Sequence, residues 1–199
     1  MSVIVRRAGA SDRDAAAAIT VAAFVTEPAI EYFFQSDYSS STPPFFEFLF
    51  DVRMATGQIW IAEHDSEVAA VAMWNTPDDK IEGDEPVREW DSVACEFSEG
   101  ALRRLDTYGE YLDAHRPIEP HHYLGVIATR PDLHGHGLGS AVLQPMLTHL
   151  DETGGTAYLE TGTEANLKFY VKHGFEIDAE VDLPDGPRIW WMRRPSQSK

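Results

Sequence analysis

The sequence predicts an α/β (α+β) protein whose mixed β-sheet is flanked by helices, and three observations lead to this fold class. Short apolar or alternating runs indicate strands, and apolar residues that recur at intervals of three and four indicate helices. These patterns follow the order strand, two helices, two or three strands, helix, strand, helix, strand, helix, two strands. A glycine-spaced loop joins the central strand to the helix after it, and the other elements are arranged around that loop.

Three helices are expected in the first half of the chain. An Ala-rich helix is predicted to begin at the N-cap pair Ser-Asp, 11–12, and to end before Pro28, which breaks it. The two prolines at 43–44 are tolerated in a first helical turn, so they mark the start of a second helix, which Gly57 can close in the left-handed conformation. Apolar spacing over 90–112 predicts one long amphipathic helix.

Strands and turns fill most of the remaining chain. The turn 64–66 is short enough for a hairpin, and 184–187, Pro-Asp-Gly-Pro, has the chemistry of a turn between the last two strands. The polar stretch 76–89 is a surface loop, which is either a mobile flap over an acceptor site or a plain connector. The expected strands are 3–7, 58–63, 67–75, 123–129, 156–161, 175–181 and 188–193.

The loop at 134–140, His-Gly-His-Gly-Leu-Gly-Ser, lies between an apolar strand and a helix. Backbone N–H groups and the helix dipole at such a point favour an anion such as a phosphate. Glycines are needed there because a Cβ would block the close approach of a ligand to the backbone. The motif alone also fits an ordinary tight turn. A dinucleotide-binding fold fits poorly, because the loop lies two-thirds of the way along the chain.

A second motif, Asn-Leu-Lys-Phe-Tyr-Val-Lys-His-Gly-Phe at 166–175, follows a strand-like run. Together the two motifs resemble those of the GNAT superfamily of acyl-CoA-dependent N-acyltransferases. That signature is Gln/Arg-Gly-x-Gly-x-Gly/Ala, followed by Asn-x-x-Phe-Tyr-x-x-x-Gly-Phe. His134 stands where the family has Gln or Arg. The resemblance covers the last third of the chain well and the first half loosely.

The resemblance implies a GNAT fold, with a mixed, mostly antiparallel sheet of six to seven strands. It implies a single domain, 1–199. Residues 1–120 would form the acceptor-side half, with a loop and helix insertion at 76–115, and residues 121–194 the acetyl-CoA-binding half. The implied activity is transfer of an acetyl group from acetyl-CoA to a primary amine of a small molecule. A non-catalytic acyl-CoA-binding sensor of the same fold is the alternative.

The resemblance also assigns roles to residues of both motifs. Tyr170 would be the general acid, because a phenol can protonate a departing thiolate. The backbone of 127–129 would pair with the pantetheine arm, and the loop would cradle the pyrophosphate. The residues expected to contact the co-substrate are Ile127, Ala128, Thr129, His134, Gly135, His136, Gly137, Leu138, Gly139, Ser140, Asn166, Phe169 and Tyr170.

The general base and the acceptor wall are less sharply indicated. Glu160 ends a strand beside the central one, and either it or a water molecule is a candidate base. His121 and His122 begin the central strand and point to opposite faces, so at most one faces the acceptor, and His122 is the second candidate. The residues expected to line the acceptor site are Phe24, Glu27, Tyr32 and Trp74.

Composition limits the partners and the compartment. The formal net charge is −17, from 33 acidic and 16 basic residues, which argues against nucleic acid and permits a cationic substrate. Cys95 is the single cysteine, so no disulfide forms within the chain, and we expect it to be a buried thiol. The histidine spacing supports no metal site. Without a run of 18 apolar residues or an N-terminal apolar region, a cytoplasmic protein that binds no membrane is expected, either a monomer or a homodimer.

Overall fold

The computed structural model describes residues 3–77 and 89–197, and its centre is a seven-stranded sheet. The strands are β1 (Val3–Arg7), β2 (Gln58–His64), β3 (Glu67–Asn75), β4 (His122–Thr129), β5 (Ala157–Thr161), β6 (Glu176–Asp182) and β7 (Arg188–Arg194). Their order across the sheet is β1-β2-β3-β4-β5-β7-β6. Only β4 and β5 run parallel among these neighbours, and every other pair is antiparallel. The expected mixed, mostly antiparallel sheet is confirmed.

Helices cover both faces of the sheet. The helices are α1 (Arg13–Ala23), α2 (Pro28–Phe34), α3 (Tyr38–Thr56), α4 (Trp90–Ala94), α5 (Glu99–His115), α6 (Leu138–Thr153) and α7 (Leu167–Lys172). On one face, α6 buries Leu143, Met146 and Leu150 against side chains of β3 and β5. On the other face, α1 and α3 pack on β2 to β4, while α2 and α5 pack on β5 and β7. Burial of this apolar surface stabilises the fold.

The predicted long helix at 90–112 is wrong, because the chain breaks into α4 and α5. The Ser98 side chain accepts a hydrogen bond of 3.3 Å from the N–H of Ala101, and this N-cap starts α5 afresh. Apolar residues keep their helical spacing through the break between α4 and α5, so this spacing alone did not reveal the break. Cys95 lies at the end of α4 and is exposed, which corrects the expectation of a buried thiol.

The second helix and its end also differ from expectation. α3 begins at Tyr38, so the two prolines at 43–44 lie inside it rather than in its first turn. In the first turn of α3, before the two prolines, the Thr42 hydroxyl donates a hydrogen bond of 2.7 Å to the Tyr38 carbonyl. Gly57 has φ −128°, outside the left-handed region. Its role is close packing, since a Cβ there would overlap the carbonyl of Trp74. Left-handed glycines do occur at other helix ends: Gly154 ends α6, and Gly174 follows α7.

Within the described ranges, no single helix is both long and apolar enough to cross a bilayer. The segments Ala10–Ala23 and Pro28–Thr56 meet that requirement only as a pair, and they are bent by 99° at the break between them. Apart from its ends, the stretch 76–89 considered as a flap lies outside the described residues.

Candidate functional site

A cleft opens where the two parallel strands part. β4 and β5 pair at only two positions, both at the start of β4. Just beyond, β4 carries one extra residue: Met73 of β3 pairs with Val126 and Trp74 with Leu124, which leaves Gly125 without a counterpart. A bulge of this kind bends its strand. The later part of β4, which includes Ile127, Ala128 and Thr129, therefore pairs with β3 on one side and borders the cleft on the other.

One cavity of about 820 Å³ runs through the cleft. Its loop end is lined by Leu133, His134, Gly135, Gly137, Leu138, Gly139, Ser140, Asn166 and Phe169. Its aromatic end is lined by Phe24, Phe33, Phe45, Phe46, Leu49, Leu105, Tyr108 and Leu112. The side chains of Glu160, Tyr123 and Tyr170 lie along the same cavity.

The loop end is built from main chain. Gly135 and Gly137 have φ of 83° and 79°, a conformation that a side chain disfavours. Gly137 caps α6 without any side-chain hydrogen bond, and its carbonyl accepts from Ala141 at 2.9 Å. The N–H groups of the first turn of α6 have no partner within the helix. The loop therefore presents N–H donors and the positive end of a 16-residue helix dipole to the cavity, as an anion requires.

The free space around the loop glycines is consistent with an anion bound in front of the loop. A Cβ built on Gly135 or Gly137 would have no neighbour within 4 Å, so the space in front of the loop is open. At Gly139 a Cβ would lie 3.5 Å from both the Phe169 ring and the Thr129 hydroxyl, which places α7 and β4 directly beside the loop.

The two loop histidines have different surroundings. A ring nitrogen of His134, Nε2, lies 3.2 Å from the Thr129 carbonyl, so this side chain ties the loop to the end of β4 while lining the cavity. His136 lies outside the cavity wall. Its N–H donates to the Leu133 carbonyl at 3.4 Å, and its ring lies near His64. His136 is thus not among the residues that line the cavity, and its main-chain contact with the co-substrate stays a prediction.

Tyr170 lies on α7 and lines the cavity. It is 6% exposed, and its ring packs against Phe169 and Phe175 at centroid distances of 5.4 and 6.0 Å. Burial raises the pKa of the Tyr170 hydroxyl, and the negative charges of Glu160 and Glu27 raise it further. The hydroxyl therefore keeps its proton at neutral pH and is a donor rather than an acceptor of protons.

Glu160 is held by two tyrosines from distant parts of the chain. Its Oε1 accepts hydrogen bonds from the hydroxyls of Tyr123, at 2.6 Å, and Tyr108, at 2.9 Å. Its Oε2 is buried and accepts no hydrogen bond from any residue in 3–77 or 89–197. Burial raises the pKa of Glu160 to about 7, although the two phenols and the charge of Arg53 oppose the rise. A carboxylate with this pKa exchanges a proton readily at neutral pH.

Arg53 explains why glycine occupies the bulge of β4. Its guanidinium lies over the Tyr123 ring, 5.9 Å from the centroid, and donates to the Leu49 carbonyl at 3.2 Å. A Cβ on Gly125 would overlap this guanidinium. The missing side chain at 125 therefore leaves room for a buried positive charge behind Tyr123.

Glu27 lines the cavity, but both of its carboxylate oxygens have backbone partners. Oε2 accepts from the N–H groups of Ala29 and Ile30, at 2.7 and 3.0 Å, and caps α2. Oε1 accepts from the N–H of Gly162 at 3.0 Å. Burial raises the pKa of Glu27, and these three N–H groups counteract the rise. The side chain thus anchors α2 to the end of β5.

Three other sequence-predicted residues lie away from the cavity. Trp74 is fully buried in the core on the α6 face. Tyr32 borders a separate, shallow pocket, where its hydroxyl donates to the Pro184 carbonyl at 3.3 Å. His122 also faces α6, and its ring lies 5.5 Å from that of His149. Side chains alternate along a strand, so the neighbouring Tyr123, and not His122, points toward Glu160.

Sequence reasoning missed Tyr108, Tyr123 and Arg53. Alternation along β4 was the available signal for Tyr123, since the residue after His122 must face the opposite side. Tyr108 and Arg53 lie on helices whose packing partners the sequence did not reveal.

Comparisons with known proteins agree with this geometry. Residues 100–175 match the model of the acetyltransferase (GNAT) family, a range that holds α5, β4, the glycine loop, α6, β5 and α7. The chain resembles a structure from Corynebacterium glutamicum described as histone acetyltransferase HPA2 and related acetyltransferase. The two are 22% identical over 100% of this chain and 99% of that one, with a TM-score of 0.72.

Two further solved structures share the fold. Arylalkylamine N-acetyltransferase 2 from Aedes aegypti is 10% identical over 98% of this chain and 99% of its own, with a TM-score of 0.70. PaiA N-acetyltransferase from Thermoplasma acidophilum, solved in complex with coenzyme A, is 13% identical over 98% and 99% of the two chains, with a TM-score of 0.59.

Proposed function

We propose that this chain is an N-acetyltransferase of the GNAT family, and that it acetylates a primary amine of a small molecule by direct attack in a ternary complex. The observation that carries the proposal is the buried carboxylate of Glu160. Glu160 lines the cavity that also holds the anion-binding loop, and its buried Oε2 accepts no hydrogen bond within the described part of the chain. A buried acceptor of this kind suits an ammonium group.

The residues of the loop end fit acetyl-CoA as the co-substrate. Positive-φ glycines, the open space before them and the uncapped start of α6 suit a pyrophosphate, while the bent part of β4 suits an extended amide-bearing chain. When bound, acetyl-CoA supplies the acetyl group as a reactive thioester. Residues 127–129, the loop and Asn166 would hold it.

Glu160 and Tyr170 would divide the proton transfers between them. Glu160 Oε2 takes a proton from the ammonium, so that the neutral nitrogen can form the new C–N bond as the C–S bond breaks. Tyr170 gives its hydroxyl proton to the sulfur that leaves, and the second proton lost by the nitrogen restores it. Support for the role of Glu160 comes from its pKa, about 7. Support for the role of Tyr170 is its place on the cavity wall together with Glu160, with its hydroxyl protonated at neutral pH.

We extend the proposal to an aminonucleoside acceptor such as puromycin. The support is a likeness to puromycin N-acetyltransferase at four places, which are 114–117 with 119–120, 139–142, 159–161 and the turn region 184–188. We also propose a cytoplasmic location, in keeping with a single, exposed cysteine, and either a monomer or a homodimer.

The test measures CoA release with a thiol reagent across amines that include puromycin, other aminonucleosides, polyamines and amino acids. Tyr170→Phe is expected to lower kcat by about 100-fold, with acetyl-CoA affinity unchanged, because only the proton donor is lost. Tyr111→Phe is the control, since this tyrosine stacks on His115 away from the cavity. Turnover that Tyr170→Phe leaves intact would remove the acid role. Binding of acetyl-CoA without turnover of any amine would favour the sensor.

A further inference from the structure

The aromatic end of the cavity offers rings and branched aliphatic groups as its wall. Phe24, Leu105 and Tyr108 are half-buried there. Other rings of the same wall are in edge-on contact with them: Phe33 lies 4.8 Å from Tyr108, and Phe46 lies 5.3 Å from Phe24, between centroids. Such a wall favours a ligand with an aromatic body, which can add further edge-to-face contacts.

Few charged side chains line the same wall, and most of their carboxylate oxygens already accept hydrogen bonds from the protein. Of the Asp, Glu, Lys and Arg side chains among the described residues, only Glu27, Arg53 and Glu160 line the cavity. Glu27 accepts hydrogen bonds from three backbone N–H groups, and Oε1 of Glu160 accepts hydrogen bonds from two tyrosine hydroxyls. One carboxylate oxygen, Oε2 of Glu160, is left to meet one ammonium. A second ammonium would be desolvated without a partner and would be repelled by Arg53.

From these two features we propose that the acceptor is a primary amine with one positive charge on an aromatic body, and that the cavity discriminates against di- and polyamines. This inference rests on the proposed function and names the substrate class of the same site. The net charge of −17 attracts any cation from a distance, so the discrimination arises inside the cavity.

Two pairs of amines isolate the two features. Pentylamine and 1,5-diaminopentane differ in the second ammonium, and 2-phenylethylamine and 2-cyclohexylethylamine differ in aromaticity at similar size. The readouts are kcat/KM for acetylation and, independently, the dissociation constant from calorimetry on protein saturated with CoA. We expect pentylamine to be favoured over the diamine by at least about tenfold. We expect the phenyl compound to be favoured over the cyclohexyl one by about three- to tenfold.

A matched pair of variants links the preference to the wall. Phe24 and Phe48 are both half-buried, and each has one ring neighbour, but only Phe24 lines the cavity. Phe24→Leu is expected to bring the ratio of phenyl to cyclohexyl compound close to one. Phe48→Leu is expected to leave that ratio unchanged and serves as the control for a general loss of stability.

The outcomes separate this inference from the proposed function. The inference is overturned if the diamine equals or exceeds pentylamine in both readouts, or if Phe24→Leu leaves the aromatic preference intact. The expected ranking in calorimetry without release of CoA supports the substrate class and overturns the acetyl transfer. Release of CoA, combined with a preference for the diamine or for the cyclohexyl compound, would support the acetyl transfer and overturn the substrate class.

Discussion

The two ends of the cavity are built in different ways. The loop end uses main-chain groups: N–H donors at the start of α6, left-handed glycines and the bent part of β4. The aromatic end uses side chains, and its central carboxylate, Glu160, is positioned by Tyr108 from α5 and Tyr123 from β4. We infer that side-chain substitutions at the loop end act through backbone conformation, whereas those at the aromatic end act on the chemistry itself.

The largest expected effect is at Glu160. Glu160→Gln retains an oxygen that can accept from both tyrosines but cannot take a proton, so kcat/KM is expected to fall by about 1,000-fold with acetyl-CoA affinity unchanged. Steady-state kinetics and calorimetry check the two parts. Glu164→Gln, at an exposed carboxylate just after β5, is the control and should retain full activity.

The same variant has an opposite effect on stability. The carboxyl of Glu160 has a pKa of about 7 when buried and near 4.5 when unfolded, so its ionisation costs stability as pH rises between these values. Glu160→Gln should therefore gain up to about 3 kcal/mol in free energy of unfolding over the wild type between pH 4.5 and 7. Thermal unfolding at pH 5 and pH 8 measures this, and an equal difference at both pH values would contradict the raised pKa.

A smaller effect is expected at Tyr123, which tests whether side chains of the aromatic end set the acidity of Glu160. Tyr123→Phe removes the 2.6 Å hydrogen bond that stabilises the charged form of Glu160, so the pKa of Glu160 rises further. The acid limb of the kcat/KM profile should move up by about one pH unit, which lowers the rate at pH 7 by up to about tenfold. Tyr38→Phe removes a comparable bond to the Val21 carbonyl outside the cavity and should leave the limb unmoved.

The smallest effect is expected at the loop end. Gly137→Ala places a Cβ on a residue with φ 79°, which costs about 1 kcal/mol in backbone strain. The acetyl-CoA KM should rise by a few-fold with little change in kcat, because the donors shift while Glu160 and Tyr170 do not. Gly109→Ala, on α5 and also with open space around an added Cβ, is the control. A fall in kcat without a change in KM would argue that the loop belongs to the chemistry.

The same difference explains how much the sequence could predict. The loop and the motif at 166–175 are local patterns, and local period and glycine spacing revealed them along with all seven strands. The aromatic end brings together residues 24, 53, 108, 123 and 160, which meet only through the strand order of the sheet. Trp74 and His122 were misplaced for a related reason: which face of a strand borders a cleft depends on packing, and both side chains lie on the α6 face.

The bulge has one more consequence. Gly125 leaves room for the guanidinium of Arg53, which lies against Tyr123. A side chain at 125 requires the guanidinium of Arg53 to move or residue 53 to be shortened, and either change alters the positive charge that favours ionised Glu160. Positions 53 and 125 are therefore coupled: a substitution at 125 displaces the charge at 53, and the pair of residues together influences the acidity of Glu160.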